Sequence, residues 1–446
     1  MPASRAPGST AALTRRGFAA ISGGFFAGHG FGVRAAEGPA ERLNVAAIGI
    51  GGRGAANLAG MKGHTIVALC DVDEARAAKG FDAHPKARRF TDFRALFDAC
   101  EKQLDGVVIS TPDHTHFHPA WWAVERGKHL YLEKPLAHEV EEVRRLCDAA
   151  RARGLATQLG SQRHALAGLR AGVELVKAGT IGTVTEVHSW IASNRGMPRP
   201  LGVVATPPAT LDWDLWLGPV PERPYRPGLA PYDWRFWWEF GTGETGNWGC
   251  HILDIPFWAL DLGHPVRVSG GGPEPDPDRT PTSLVSRLDF PARTSASGAA
   301  LPPVSIHWYQ GRPPILDERG LDVPGPDGKR PARDKNTLFI GTDGMLLCGF
   351  DGWQLLPAER FGHVTKPPQT LAPSPGFHRE WLDACRGGPA ATCHFGYAGP
   401  LAESVLLANI AYRVRGEFTW DAAALRSDRA DVDAILRREV RPGWRI

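Results

Sequence analysis

A glycine-rich turn follows a short apolar run at residues 43–48 and precedes a stretch of helix-forming residues at 55–61. A strand, a turn and a helix in this order let backbone N–H groups at the start of the helix bind a pyrophosphate. The glycines permit a tight turn, a close approach of the backbone to the phosphates, and close packing of the helix. The predicted phosphate-binding residues are Gly49, Gly51, Gly52, Arg53 and Gly54.

An acidic residue at the end of the next apolar run, 66–70, is placed to select the nucleotide. Asp71 follows Gly49 by 22 positions, close to the spacing of about 20 at which a carboxylate binds the ribose hydroxyls of a dinucleotide. A carboxylate there would repel the 2′-phosphate of NADP, so NAD is the predicted cofactor. Arg76, one turn further along, keeps NADP open as the alternative.

Further apolar runs at 106–110, 129–132 and 156–160 alternate with helical stretches at 119–126 and 140–153. This alternation is typical of a parallel, doubly wound sheet. Ligands of such sheets bind beyond the carboxyl ends of the strands. The polar segments that follow the strands should therefore meet in one crevice, and they lie at 110–116, 133–135 and 160–163.

Three motifs resemble the Gfo/Idh/MocA family, which is named for glucose-fructose oxidoreductase and inositol dehydrogenase, and the resemblance covers nearly everything after residue 42. The motifs are Thr111-Pro112 with His116, Glu133-Lys134-Pro135, and Gly249-Cys250-His251-Ile252-Leu253-Asp254. The resemblance implies that Lys134 is the leading catalytic residue, beside the nicotinamide and the substrate hydroxyl, and that Pro135, typically cis, fixes its turn. A lysine can exchange a proton with an alcohol once burial and nearby charge lower its pKa.

The same family carries an aspartate four positions before a histidine, on one face of a helix. The matching residues are Asn247 and His251. Asparagine can orient a substrate but cannot accept a proton. Whether a proton relay runs from a carboxylate to His251 is therefore an open question. His251 is interpreted as a proton partner or hydroxyl ligand, and Asp254, three positions later, as the residue that holds its ring.

By the same resemblance, His116 is assigned to the nicotinamide side. The full predicted cofactor set is Gly49, Gly51, Gly52, Arg53, Gly54, Asp71, Thr111, Pro112, His116, Glu133, Lys134 and Gln162. The predicted substrate set is Lys134, Arg163, Asn247 and His251, and the predicted catalytic set is Lys134, His251 and Asn247. His114, His116 and His118 lack the carboxylate or cysteine run that would complete a zinc site, so no metal is predicted.

These observations predict an α/β protein with a Rossmann domain at 42–163 and a second domain at 164–446. The resemblance implies that the second domain is α+β, serves substrate binding and oligomerisation, carries a large, mainly antiparallel open sheet, and packs its C-terminal helices back on the Rossmann domain. Seven of the 15 tryptophans fall within 213–258. Their rings offer apolar faces on which the C–H faces of a sugar can dock.

Residues 1–36 have the pattern of a twin-arginine export signal, with Arg15-Arg16 before a weakly apolar stretch and small residues at 33–35. The apolar stretch, 19–33, is shorter than the roughly 20 residues that a membrane span requires. Export of the folded chain to the periplasm or beyond by the twin-arginine machinery would suit a nucleotide that is bound tightly before translocation.

The charge and the cysteine content argue against a nucleic-acid-binding protein and against a protein held by disulfides or by cysteine-bound zinc. The formal charge is +3, but the signal segment holds four arginines and no acid, so the remaining 47 basic and 48 acidic residues leave −1. No basic field for nucleic acid remains. The seven cysteines show no CxxC spacing and are interpreted as buried thiols.

The expected function is NAD-dependent oxidation of the CH–OH group of a sugar or polyol by a homo-oligomer. One variant of it recycles a tightly bound nucleotide between two sugars, as glucose-fructose oxidoreductase does. A second possibility is an NAD-dependent glycoside hydrolase that oxidises its substrate transiently and eliminates the glycosidic bond. A third is a sugar or nucleotide sensor without catalysis, for which Asn247 is the motivating residue.

Overall fold

Six parallel strands form the sheet that the glycine turn belongs to, in a computed structural model that describes residues 42–295, 298–322, 330, 332 and 334–446. Their order is β3-β2-β1-β4-β5-β6, so the chain reverses direction across the sheet between β1 and β4. Most of their residues are buried, as expected of a sheet covered on both faces. The strands are β1 Asn44–Ile48, β2 Thr65–Cys70, β3 Arg88–Phe90, β4 Gly106–Ile109, β5 His129–Glu133 and β6 Thr157–Gly160.

Helices alternate with these strands, which confirms the predicted doubly wound fold. The helix after β2 begins where the Asp73 side chain accepts a hydrogen bond from the backbone N–H of Arg76. The helix after β5 begins with a capping box between Glu139 and Glu142. The helices are α1 Arg53–Gly60, α2 Glu74–Ala83, α3 Phe93–Cys100, α4 Phe117–Glu125 and α5 Val140–Ala152.

A second sheet of nine strands is mainly antiparallel, as predicted, and its order is β15-β14-β13-β7-β12-β9-β8-β16-β17. Among the strands that the structure describes, β12 and β7 are its parallel pair. Along β9 and β12 buried residues alternate with more exposed ones, because one face packs on the core and the other faces outward. The strands are β7 Val184–Ile191, β8 Arg267–Gly271, β9 Leu284–Phe290, β12 Val304–Gln310, β13 Thr337–Gly341, β14 Met345–Cys348, β15 Trp353–Leu356, β16 Gly416–Asp421 and β17 Arg426–Ser427, with a separate hairpin of β10 Arg293–Thr294 and β11 Ala300–Leu301.

The remaining helices connect and cover the two sheets, and both sheets lie in one compact unit, Ala40–Ile446. The predicted boundary at residue 163 stays a prediction, and the signal segment 1–36 lies outside the described residues. Within the described ranges, no helix has the length and apolar character needed to cross a membrane. The helices are α6 Ala167–Lys177, α7 Trp213–Leu217, α8 Cys250–Ile252, α9 Asp254–Ala259, α10 Ile315–Glu318, α11 Ala358–Phe361, α12 Phe377–Cys385, α13 Phe395–Val414 and α14 Ala430–Asp433.

An ion pair joins α5, beside the parallel sheet, to α13, which packs on the second sheet. Arg144 donates two hydrogen bonds of 2.8 Å to the carboxylate of Glu403, one from Nε and one from Nη2. Glu403 is almost completely buried. Burial alone would raise the pKa of Glu403, but the neighbouring His264 and Arg144 outweigh burial and lower that pKa.

We predict that Arg144→Met lowers the free energy of unfolding by about 3–5 kcal/mol, because buried Glu403 loses both hydrogen bonds from Arg144 and keeps His264 as its remaining partner. The lowered pKa of folded Glu403 means that its stabilisation is present at neutral pH and is lost as the pH falls through that pKa. Chemical denaturation at several pH values measures both effects.

The matched control is Arg151→Met, which removes an exposed Arg151–Asp148 pair from the same helix and should change little. The double variant Arg144→Met with Glu403→Leu should recover most of the free energy of unfolding that Arg144→Met loses. Equal destabilisation by the two single arginine variants would contradict a special role for the buried pair.

Candidate active site

A cavity of about 620 Å³ lies beyond the carboxyl ends of β1, β4 and β5, at the point where the strand order reverses. It brings together twelve of the residues predicted from the sequence, while Gly52, Gly54 and His116 do not line it. The predicted residues on its wall are Gly49, Gly51, Arg53, Asp71, Thr111, Pro112, Glu133, Lys134, Gln162, Arg163, Asn247 and His251.

The glycine turn leaves no space for side chains at two of its positions. Gly49 has a φ of +75°, and a Cβ there would lie 2.8 Å from the carbonyl of Ser110. A Cβ on Gly54 would lie 1.8 Å from the carbonyl oxygen of Gly49. These contacts bring the start of α1 close against β1 and β4, so that backbone N–H groups rather than side chains form this wall.

Asp71 stands at the end of β2 and joins that strand to the glycine turn. Its Oδ2 accepts hydrogen bonds from the backbone N–H groups of Ile50 at 2.8 Å and Gly51 at 3.2 Å. Its Oδ1 accepts one from the N–H of Asp73 at 3.0 Å. Burial raises the pKa of Asp71, and these backbone donors oppose the rise. The carboxylate therefore shapes the turn, and its binding of ribose stays a prediction.

His116 does not line the cavity, and its assignment to the nicotinamide side stays a prediction. Its ring is buried behind two turns, with Nδ1 at 2.6 Å from the carbonyl oxygen of Pro135 and Nε2 at 2.8 Å from that of Thr111. His116 thus joins the turn after β4 to the turn after β5.

His114 and His118 also bind backbone rather than a common ion. His114 Nε2 lies 2.8 Å from the carbonyl oxygen of Trp216, and His118 Nε2 lies 2.9 Å from that of Trp444. Burial lowers the pKa of both rings, that of His118 to about 3. These histidines are neutral packing residues that hold distant segments against α4.

Lys134 lies on the cavity wall where residues that follow the parallel sheet contact residues that follow the first strand of the second sheet. It follows β5, and its Nζ donates a hydrogen bond of 2.9 Å to Oδ1 of Asn247, which lies in the π-helical turn Thr245–Gly249. Burial lowers the pKa of Lys134, while the charges of Glu133 and Asp113 oppose that change. Burial therefore favours the neutral amine of Lys134 more than solvent would.

Glu244 supplies the carboxylate that Asn247 lacks, and the sequence interpretation missed it. Asn247 Nδ2 donates a hydrogen bond of 3.0 Å to Glu244 Oε2, and Glu244 is completely buried. Its other oxygen accepts hydrogen bonds from Ser193, at 2.9 Å, and from Nε of Arg195. A negative charge thus stands one hydrogen bond farther from Lys134 than a directly contacting aspartate would.

His251 is held by Ser161. The Ser161 hydroxyl donates to the carbonyl oxygen of Cys250 at 3.2 Å and lies 3.1 Å from His251 Nδ1. Because the hydroxyl proton is used, the oxygen accepts from Nδ1–H, which leaves His251 Nε2 as an acceptor. Burial, followed by the charges of Lys134 and Arg163, lowers the pKa of His251 well below its usual value, so the ring is neutral.

Asp254 does not hold the ring of His251, as the sequence had suggested. Its carboxylate lies 2.9 Å from Nδ1 of His164 and accepts a hydrogen bond from the hydroxyl of Tyr397. Leu253, between α8 and α9, keeps a helical backbone, so the partner of Asp254 is decided by the elements packed against it and not by its spacing from His251. Asp254 instead braces the segment that carries Arg163.

Aromatic and cationic groups complete the wall of the cavity. Arg163 lies over the rings of Trp248, at 4.9 Å, and Phe350, at 4.3 Å. Arg235 lies over Trp234 at 4.2 Å, and burial lowers its pKa. Of the predicted aromatic cluster and its neighbours, Trp216, Trp234 and Trp248 line the cavity together with Tyr232 and Trp444, while Trp237 and Trp238 are buried elsewhere.

Comparison with known proteins gives matches to both halves of the chain. A Gfo/Idh/MocA family model described as an oxidoreductase family with an NAD-binding Rossmann fold matches residues 43–161. A second model, described as the oxidoreductase family's C-terminal alpha/beta domain, matches residues 187–285. The cavity lies between the elements that these two models cover and draws residues from both.

Curated relatives are similar over shorter stretches. Inositol 2-dehydrogenase 3 of Saccharopolyspora erythraea is 37% identical over 127 residues, which cover 28% of this chain and 37% of that protein. Glycosyl hydrolase family 109 protein 2 of Akkermansia muciniphila is 34% identical over 121 residues, 25% of this chain and 26% of that protein. The matched stretches thus span well under two thirds of either relative.

A solved structure shares the whole fold. The WlbA dehydrogenase of Bordetella pertussis, in complex with NADH and UDP-GlcNAcA, superposes with a TM-score of 0.56 at 15% identity over 85% of this chain and 99% of that one. At this identity the likeness concerns the architecture alone.

We predict that Gly54→Ala weakens NADH binding by a factor of about 10 or more, equivalent to about 1.4 kcal/mol, because the new Cβ would overlap the carbonyl of Gly49. Titration of NADH fluorescence measures the effect. Gly263→Ala is the control, since a Cβ there meets no atom within 4 Å. Unchanged NADH binding by Gly54→Ala would mean that this turn does not cradle the nucleotide.

Proposed function

We infer the function of this chain from the premise that it belongs to the Gfo/Idh/MocA oxidoreductase family. We propose that it is an NAD-dependent enzyme that oxidises the CH–OH group of a sugar or polyol. The observation that carries the proposal is Lys134, whose Nζ meets Asn247 at 2.9 Å on the wall of the cavity that also contains the glycine turn. A relative named inositol 2-dehydrogenase supports this substrate class.

The residues present fit a dinucleotide. The turn of Gly49 and Gly51 forms a cradle that a Cβ would fill, and Arg53 adds a positive charge where a pyrophosphate would be bound. Asp71 stands at the edge expected for the adenosine ribose, which favours NAD over NADP. When bound, the nicotinamide supplies an acceptor for hydride.

The protein's own part of the reaction is positioning and proton transfer. A neutral Lys134 would accept the hydroxyl proton of the substrate as the carbon loses hydride. Asn247 fixes the ammonium that results, and buried Glu244 behind it stabilises the positive charge. His251 Nε2 would accept a hydrogen bond from a second substrate hydroxyl, which orients the sugar.

Replacing the lysine tests this assignment. We predict that Lys134→Ala lowers kcat by roughly 10²- to 10⁴-fold, the range typical of a lost general base, while NADH binding is retained. The control is Lys62→Ala, which removes an exposed lysine outside the cavity. Near-normal turnover of the preferred substrate by Lys134→Ala would contradict the role of Lys134 as general base.

The pH dependence of oxidation gives a second test. Because an ammonium cannot accept a proton, activity should fall as the pH drops through the pKa of Lys134, and burial puts that pKa below the ordinary value of about 10.4. In the Asn247→Asp variant, the fall of kcat/KM at low pH should begin at a higher pH, since a carboxylate beside Lys134 favours the charged lysine. A profile that is identical in both proteins would contradict the proposed base.

The Asn247→Asp variant also places two carboxylates side by side, at 247 and 244. The double variant Asn247→Asp with Glu244→Gln relieves that repulsion and recreates the family's aspartate. We therefore expect the double variant to be more active than Asn247→Asp alone. This comparison separates a charge effect at Lys134 from general damage to the turn.

A glycosidase remains the second candidate, because a relative named glycosyl hydrolase family 109 protein 2 matches part of the chain. The protein should be incubated with a panel of sugars, polyols and aryl glycosides while cofactor absorbance and released aglycone are recorded. Net NADH formation supports the dehydrogenase. Release of aglycone without net NADH formation supports the glycosidase. The absence of both signals supports a sensor.

Export by the twin-arginine pathway, with the nucleotide bound beforehand, is part of the proposal. It rests on Arg15-Arg16 and the weakly apolar stretch that follows. We predict that replacing both arginines by lysine keeps the full-length protein in the cytoplasm when it is expressed in a bacterium with this pathway. Cell fractionation measures the distribution, and unchanged export of the variant would remove the signal assignment.

A further inference from the structure

Three potential metal ligands lie together on the outward face of the nine-stranded sheet, away from the active-site cavity. Glu186 and His188 are two residues apart on β7 and therefore share a face. His307 on β12 is paired directly with His188 across the parallel ladder. Both strands are internal, between β13 and β9, so hydrogen bonds on both sides hold the backbone under these three side chains.

The ligand atoms of the three residues converge. Glu186 Oε1 lies 3.1 Å from His188 Nε2 and 3.4 Å from His307 Nε2. One ligand atom of each residue lies within 4.8 Å of the other two. Neighbouring ligands of a tetrahedral ion with bonds of about 2.0–2.2 Å are separated by similar distances, so small rotations of the side chains would complete the geometry.

A further residue orients His188 as a ligand. The second ring nitrogen, Nδ1, lies 3.0 Å from the hydroxyl of Tyr309. A hydroxyl can accept from Nδ1–H, and the tautomer that results presents the lone pair of Nε2 to an ion. Histidine ligands of metals commonly have such an outer partner, which fixes the ring and its tautomer.

Access to the cluster is asymmetric. His188 is nearly buried, whereas the side chains of Glu186 and His307 are 42% and 23% exposed. The rings of the two histidines stack at 4.7 Å with an angle of 10°, so both Nε2 atoms face the carboxylate from the same side. An ion can therefore enter from the Glu186 side, while the sheet closes the opposite one.

We propose that Glu186, His188 and His307 bind a divalent transition metal ion, with Zn²⁺ as the best match. Two imidazoles and one carboxylate form a recognised zinc ligand set, with the fourth position taken by water. The sequence prediction of no metal considered His114, His116 and His118, whereas this set becomes visible only when β12 is placed beside β7. None of its residues lines the active-site cavity, so the proposal is independent of the proposed function.

The test uses the untagged protein after treatment with a chelator. Titration with Zn²⁺, followed by calorimetry and by elemental analysis after dialysis, should give one bound ion per chain. Co²⁺ should give the visible absorption of a four-coordinate site. Zn²⁺ should also raise the Tm, because an ion that binds only the folded chain stabilises it.

Glu186→Gln and His307→Gln should abolish both the calorimetric signal and the absorption of Co²⁺. Glu186 is the more informative position, since its half-exposed side chain can be changed with little risk to folding. Tyr309→Phe should weaken Zn²⁺ binding by roughly 10- to 100-fold, as expected for loss of an outer partner. His363→Gln, at an exposed histidine elsewhere, is the control and should bind like the parent.

Absence of saturable Zn²⁺ binding by the folded parent protein would overturn the proposal. So would equal Zn²⁺ binding by the parent, Glu186→Gln and His307→Gln, because the ion would then sit at another site. Binding of one ion per two chains that depends on Glu186 would retain the ligands but assign them to a site shared between two copies.

Discussion

The hydrogen bond between Lys134 and Asn247 is the contact on which the active-site arrangement depends. Lys134 comes from the turn after a strand of the parallel sheet, and Asn247 comes from a π-helical turn beyond the first strand of the second sheet. A buried amino group needs a polar partner whether or not it is charged, so Lys134 finds its hydrogen-bond acceptor only when the two sheets are correctly placed against each other. The ion pair of Arg144 and Glu403 also joins an element beside the parallel sheet to one that packs on the second sheet.

Asparagine in place of the family's aspartate changes the electrostatics of the site without removing negative charge from it. Glu244 lies behind Asn247, and its own charge is balanced by Arg195. Lys134 therefore contacts a neutral dipole, and its pKa is set mainly by burial. Direct contact with a carboxylate would favour the ammonium more strongly. The arrangement thus favours the ammonium form of Lys134 less than a directly contacting aspartate would.

Local patterns in the sequence were sufficient to predict the parallel sheet, the glycine turn and Asp71, because each depends on residues close together in the chain. Lys134, Asn247 and His251 came from family motifs, and the structure brings them to one cavity. Sequence reasoning failed where long-range packing decides. Glu244 had no motif of its own, and Asp254 contacts His164 and Tyr397, which lie far from it in the chain.

His116 connects the loop that follows β4 with the loop that follows β5. One of its ring nitrogens contacts the carbonyl oxygen of Thr111, a residue of the cavity wall, and the other contacts that of Pro135, next to Lys134. An insertion or deletion in either loop would break one of these two bonds. The lengths of the two loops are therefore locked to each other.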